Sequence, residues 1–293
     1  MRNLPELEQH RGRIWRLCYR MTGVAADADE LVQETFIKAL ESTPPRELLP
    51  WLVTVASNKS RDLLRKRKNA SYVGSWLPAP VEETEADEVT PDARYGQAES
   101  MSYAFLIALE ALSPTQRACV ILRDVMGYSV LETAEALTIS EANVKTSHHR
   151  AREALEQYEA GKAKRQVSLV DAQQAMMRFM TLVGSGEIDR VASLLAEEVR
   201  AVNDGAGEFL AALNPVISRE HVVRFLRGVN HGVEIVSARA LVCGGMPALL
   251  AVTNPPKARA PRRSLNLFDV NAAGEIVTIY AVVATRKLTA FTF

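Results

Sequence analysis

Between Asn69 and about Ser100 the helical periodicity of the first seventy residues disappears, and the sign of the charge reverses across the break. Lys59 to Lys68 carries six cations (Lys59, Arg61, Arg65, Lys66, Arg67, Lys68) against one anion, Asp62. Glu82 to Asp92 carries six anions and no cation. The zero average charge thus conceals a basic patch followed by an acidic, irregular linker between two helical blocks. A second change of character comes near Lys164–Val167, where a further helix leads into short β-like runs. For 293 residues, two or three domains of ~100–150 residues each are the natural division.

In the first block, Ala28, Leu31, Val32, Thr35, Phe36, Ala39 and Leu40 recur at spacings of three and four. They predict a helical apolar band from which Glu30, Gln33, Glu34 and Lys38 point away. Thr43, Pro44 and Pro45 end that helix. A second helix starts near Pro50 and runs through Trp51, Val55 and Leu63 to Lys68. Its cations lie at the C-terminal end, where they suit the helix dipole. A solvated helix end is one reading. The other is a nucleic-acid face: Lys59, Arg61 and Arg65 can neutralise phosphates, and the Asn58 amide can hydrogen-bond the edge of an unstacked base.

The linker holds an apolar island, Tyr72, Val73, Trp76 and Leu77, unusual among Pro, Gly, Thr and acids and expected to dock onto a folded surface. Beyond it Ser113-Pro114 reads as a helix start with a cap and a proline at the first position. Two short helices, Val130–Leu137 and Ser140–Tyr158, follow, joined by Thr138-Ile139, with Ser140 able to cap the second. That is a helix-turn-helix. Val144, Ala151 and Leu155 hold the second helix to the first, while Lys145, Thr146, His149 and Arg150 are placed to meet base edges or phosphates in a major groove. A plain helical hairpin is the competing reading. His148 and His149, adjacent on a helix, diverge by about 100°, and no further His or Cys stands at ligand spacing, so they read as DNA-facing or packing groups rather than metal ligands.

The third block opens with a helix through Ala172, Met176, Phe179 and Met180 that ends near Gly184-Ser185-Gly186. The runs VRAVND, VEIVSARALVC, PALLAVT, RSLNLFDV and EIVTIYAVVA then predict several antiparallel strands, an α+β domain. Asp204-Gly205-Ala206-Gly207 reads as a tight loop after a strand, its glycines tolerating positive φ. No apolar run approaches the ~18–20 residues of a membrane span. The N-terminus lacks a signal-peptide pattern, and three widely spaced cysteines give neither a disulfide framework nor a zinc site. A reduced cytoplasmic protein is expected. Net charge is zero, yet the basic helix end supplies the local footprint that nucleic-acid binding needs.

Taken together, ADADELVQETFIKAL, LPWLVTVASNKSRDLLRKRK and LSPTQRACVILRDVMGYSVLETAEALTISEANVKTSHHRAREAL resemble the two regions of extracytoplasmic-function sigma factors, over roughly residues 1–160. The resemblance implies two all-α sigma domains, residues 1–70 and 100–164, joined by an acidic linker over 71–99. It places Asp29, Gln33 and Glu34 against the coiled coil of the polymerase's largest subunit, with the flap as a further core contact. Asn58, Lys59, Arg61 and Arg65 fall where the family captures unpaired minus-ten bases, and Lys145, Thr146, His149 and Arg150 where it reads the minus-thirty-five duplex.

YVGSWLPAPV, NDGAGEF, CGGMPALLAV and IYAVVATRKL are similar to motifs of the subgroup bearing a SnoaL-like, NTF2-like domain, here residues 167–293. In NDGAGEF, Ala206 replaces a glycine and Glu208 stands where a lysine is expected. The subgroup suggests that the loop at Asp204 and Gly205 docks against the first region or the linker, and that regulation runs in cis without a separate anti-sigma factor. Trp76, Leu77 and Pro78 are expected to dock against the C-terminal domain or the first region, and the residues themselves give no ground to expect catalysis, a cofactor or a metal. A small-molecule ligand in the C-terminal cone is compatible with the subgroup. A ligand-sensing helix-turn-helix regulator, or an enzyme with an inactive sigma-like head, are the rival readings; for the enzyme, Asp204 and Tyr280 are the one nameable acid–base pair.

Overall fold

The computed structural model describes residues 4–42, 47–68, 72–82, 95–162 and 167–292. The expected helix stop at Thr43-Pro44-Pro45, the acids from Glu83 to Asp92 and the boundary residues Lys164 to Gln166 lie outside them. The chain divides into two compact units, one of residues 1–71 and 84–158, the other of residues 72–83 and 159–293. No described helix is long and apolar enough to cross a membrane.

The first unit is helical. Its leading helices are α1 (Leu4–Glu8), α2 (Arg11–Thr22), α3 (Ala25–Glu41) and α4 (Leu48–Lys68). Gly23, at φ 66°, closes α2 by donating its N–H to Tyr19 O at 2.7 Å, a left-handed cap that glycine enters without a Cβ penalty. In α3 the predicted band is buried except for Leu40, which is 44% exposed. Ala39 occupies the inward position of the last turn, and the 100° step to the next residue carries Leu40 to the solvent side.

The helices continue with α5 (Gln97–Ser100), α6 (Tyr103–Leu109), α7 (Pro114–Val120), α8 (Val130–Leu137), α9 (Glu141–Ala154) and α10 (Glu156–Lys162). Their starts are chemically explicit. Ser113 and Gln116 form a reciprocal capping box with Pro114 at the first position, Ser129 and Glu132 form a second, and Ser140 caps α9. A π-helical turn over Ile121–Val125 follows α7. Thr138, left-handed at φ 56°, makes the tight turn between α8 and α9. α9 stops at Ala154, short of the expected Tyr158, and Leu155 links it to α10.

The second unit packs α11 (Leu169–Gly184) and α12 (Arg219–Asn230) on one six-stranded sheet. The strands are β1 (Leu195–Asp204), β2 (Val216–Ile217), β3 (Glu234–Cys243), β4 (Met246–Asn254), β5 (Arg263–Val270) and β6 (Ile276–Val282), in spatial order β2-β1-β6-β5-β4-β3. The expectation of helices followed by antiparallel strands needs two corrections: β1 and β6 pair in parallel, and α12 is inserted between β2 and β3. Ala201, Leu249, Ala251, Phe268 and Ile279 form the buried sheet face against Met176 and Phe179 of α11 and Val222 and Leu226 of α12. Phe179 meets Phe268 edge-on at 5.2 Å between ring centroids.

Candidate nucleic-acid interface

In the helix-turn-helix, Val144, Ala151 and Leu155 are fully buried, so the opposite side of α9 is left to solvent. Lys145, Thr146, His149 and Arg150 all lie on that exposed side. Thr146 donates its hydroxyl hydrogen bond to Ala142 O at 2.9 Å, and His149 Nε2 stands 3.6 Å from Glu153. Lys145 and Arg150 have no ion-pair partner among the described residues. His148 behaves differently: its Nε2 lies 2.8 Å from Asp124 Oδ2 on the π-helical turn, both side chains largely buried. The two adjacent histidines thus divide, one packing and one facing water.

The basic end of α4 is only partly open. Arg61 is 6% exposed and donates from Nη1 to Leu137 O at 2.7 Å and to Asn58 Oδ1 at 2.9 Å. Asn58 Nδ2 donates to Thr54 O at 3.0 Å and to Ala136 O at 3.1 Å. Ala136 and Leu137 end α8, where unsatisfied carbonyls concentrate the negative end of the helix dipole and attract a cation. Burial first, and then the neighbouring Arg65, lowers the Arg61 pKa from the usual guanidinium range. Lys59 and Arg65 lie further out, paired with Glu34 at 2.5 Å and Asp62 at 2.9 Å. Asp29, Gln33 and Glu34 share the exposed side of α3, Asp29 accepting from Trp15 Nε1 at 2.8 Å. The arrangement ties two of the four expected base- and phosphate-contacting residues to the helix-turn-helix itself.

In the second unit, residues 72–82 lie along the sheet domain around one buried carboxylate. Asp204 is fully buried; its Oδ2 accepts from Lys287 Nζ at 2.6 Å and from the Leu77 N–H at 2.7 Å. Its Oδ1 accepts from the Tyr72 hydroxyl and from the Ala206 N–H at 3.2 Å. Lys287 also donates to Leu77 O and stands 3.9 Å from the centroid of the Trp76 ring. Burial, reinforced by the Asp204 carboxylate, pushes the Tyr72 phenol pKa up. Leu77 and Pro78 are buried, and Trp76 is half-buried with its ring over the lysine.

The loop after β1 uses one of its two glycines, Gly207, as expected. Positive φ falls on Ala206 (49°) and Gly207 (76°), not on Gly205. Gly205 answers to close packing instead, since a Cβ there would come within 3.0 Å of Ala211 Cβ. Neither Asp204 nor Tyr280, the acid–base pair of the enzyme reading, lines the cavity of the sheet domain. Strand alternation sets Asn203 and Ala281 on the face that lines the domain's cavity and turns Asp204 and Tyr280 to the other.

Comparison with known proteins fits this geometry. The Sigma-70 region 2 family matches residues 7–70 and the Sigma-70, region 4 family matches residues 104–155. The ECF RNA polymerase sigma factor SigJ of Mycobacterium tuberculosis (strain ATCC 25618 / H37Rv) is 32% identical over 261 residues, which are 85% of this chain and 81% of that protein. The chain belongs to the ECF RNA polymerase sigma factors. SigG of the same organism is 32% identical over 217 residues, 65% of this chain and 58% of its own length. The crystal structure of SigJ aligns with a TM-score of 0.70 at 26% identity, covering 98% of this chain and 99% of that one. The architecture is accordingly two helical sigma domains followed by an α+β, NTF2-like/SnoaL-like domain.

Two residues of this sigma factor have roles that its sequence does not disclose. Lys287 sits inside the IYAVVATRKL stretch, a motif that marked the segment without singling out the cation. Glu208, read as a charge reversal, accepts the Thr285 N–H at 3.2 Å and so caps the 3-10 turn Thr285–Leu288 that carries Lys287. The lysine expected at 208 is absent, while a lysine 79 residues later occupies the buried site.

Proposed function

We propose that this sigma factor directs promoter-specific initiation through three sets of residues. Asp29, Gln33 and Glu34 bind the coiled coil of the polymerase's largest subunit, with the flap as a second core contact. Asn58, Lys59, Arg61 and Arg65 hold the opened minus-ten strand, and Lys145, Thr146, His149 and Arg150 read the minus-thirty-five duplex. The domain limits 1–70, 71–99, 100–164 and 167–293 belong to the same reading. The observation that carries it is the open polar side of α9, whose inner side is fixed by Val144, Ala151 and Leu155.

Regulation lies in cis. With Asn58 and Arg61 committed to the carbonyls of Ala136 and Leu137, the free protein is closed at its minus-ten surface, and core polymerase draws the two regions apart. The docking of Trp76, Leu77 and Pro78 at Asp204 and Gly205 sets the linker's course, in the role that a separate anti-sigma factor would otherwise fill. The protein acts in the cytoplasm beside its polymerase and catalyses no reaction.

The test is run-off transcription with purified core enzyme, full-length chain and a version lacking residues 168–293. Promoter-dependent product is expected with the full chain, and its amount is expected to change on truncation. No start-site selectivity from either protein would sink the reading.

A further inference from the structure

The sheet domain holds a partly open cavity of about 260 Å³ between α11, α12 and the sheet. Its walls are apolar, formed by Phe179, Met180, Phe225, Phe268 and Ile279 among others, and the lining holds no carboxylate and no guanidinium. The titratable lining groups are His231 and Lys257, both exposed. The uncharged polar lining groups are Asn203, Asn230, Thr253, Ser264 and Asn266, and of these Asn203 alone is buried. Asn203 on β1 and Asn266 on β5 flank Ala281 of β6 in one row of the sheet, on the face that looks into the cavity.

The two amides differ in what they bond. Asn266 donates from Nδ2 to Ser264 Oγ at 3.1 Å. Asn203 is 8% exposed, and its Nδ2 has no hydrogen-bond partner among the described residues. A buried donor left unpaired costs free energy that folding does not recover. Apolar walls with one unmet donor at the floor are the features of a small-molecule site.

We propose that this cavity binds a small, largely apolar, uncharged molecule of one or two rings, whose buried end presents a carbonyl-type oxygen to Asn203 Nδ2. The volume lies just below the ~300–1,000 Å³ range of ligand pockets, which sets the size. The absence of buried charge in the lining requires a neutral acceptor rather than a carboxylate or ammonium at the inner end. The site stands apart from the Asp204 dock, because Asn203 and Asp204 face opposite sides of the sheet.

The experiment titrates the full-length chain with α-tetralone and with tetralin, two molecules sharing a skeleton and differing in one carbonyl, by calorimetry. Both are expected to bind saturably, the ketone tighter by about 2- to 12-fold, the net worth of one neutral hydrogen bond. Asn203→Leu is expected to erase that preference while retaining tetralin. Gly228→Phe supplies a second variant: Gly228 lines the cavity on α12, a Cβ there meets nothing within 4 Å, and the ring is expected to fill the space and abolish binding of both compounds. Absence of saturable binding, equal affinity for the two compounds, or a ketone preference that survives Asn203→Leu would each overturn the proposal. So would unchanged binding in a folded Gly228→Phe protein.

Discussion

Lys287 Nζ lies 2.6 Å from Asp204 Oδ2, and neither side chain is more than 6% exposed. The pair also holds both polar ends of Leu77, whose N–H donates to the carboxylate and whose carbonyl accepts from the ammonium. A buried charge deprived of its partner is far more costly than the pair is favourable. Lys287→Met is therefore expected to destabilise the sheet unit by about 3–5 kcal/mol and to open residues 72–82 to protease. Combining it with Asp204→Asn should recover part of the loss. Denaturant melts and limited proteolysis measure both quantities, and a Lys287→Met protein with an undisturbed linker would contradict the assigned role.

Arg61 and Asn58 bind the last carbonyls of α8, Arg61 with a charged donor at 6% exposure. Hydrogen bonds of charged groups are worth about 1.5–3 kcal/mol. Arg61→Ala should lower the stability of the helical unit by about that amount. Asn58→Ala should cost about 1 kcal/mol. Both should lengthen the distance between labels at Glu30→Cys and Glu141→Cys, two exposed sites on the separate regions. With core polymerase the same variants should open promoters less well. A variant more open in isolation yet weaker in transcription distinguishes a shared surface from mere loss of fold; an unchanged label distance would remove the closed-state argument.

Local chemistry explains which parts of this architecture could be read from the chain. The Ser113, Ser129 and Ser140 caps act within three residues of themselves, and the short apolar runs LFDV and ALLAV read as strands without a distant partner. The parallel pairing of Val202 with Tyr280 joins residues 78 apart, and no local pattern encodes it. The same holds for Lys287 and Asp204, 83 residues apart. Asn58 was legible as an amide on a basic helix, but its engagement by Ala136 depends on packing between two regions. Leu40 illustrates the opposite error, an apolar residue fitted to a band that the helix had already turned past.

The loop after β1 carries a correctable strain. Ala206 sits at φ 49°, where a Cβ costs about 1–2 kcal/mol, while glycine gives back about 0.5–1 kcal/mol through its freer unfolded chain. Ala206→Gly should thus stabilise the sheet unit by about 0.5 kcal/mol net. Gly207→Ala should do the reverse and more, because its φ is 76° and the new methyl would lie 3.2 Å from Val73 Cβ. Thermal melts of the two variants should move in opposite directions. Movement in the same direction would mean that backbone conformation does not govern this loop.

Finally, the two neighbouring groups on α9, His148 and Arg150, separate structure from recognition. His148 closes on the largely buried Asp124, so His148→Ala leaves a carboxylate without that partner and should cost about 1–3 kcal/mol of stability. Arg150 is exposed and, among the described residues, unpaired, so Arg150→Ala should stay within about 0.5 kcal/mol of the parent. The order should invert for DNA. A guanidinium reading a base edge is worth about 1–3 kcal/mol, so Arg150→Ala should weaken minus-thirty-five binding by about tenfold or more and leave affinity for core polymerase intact. Binding of holoenzyme to promoter duplexes with altered minus-thirty-five sequences measures this. Equal losses across all sequences would reassign Arg150 to a phosphate, because an arginine that contacts only the backbone weakens binding without changing which bases are preferred.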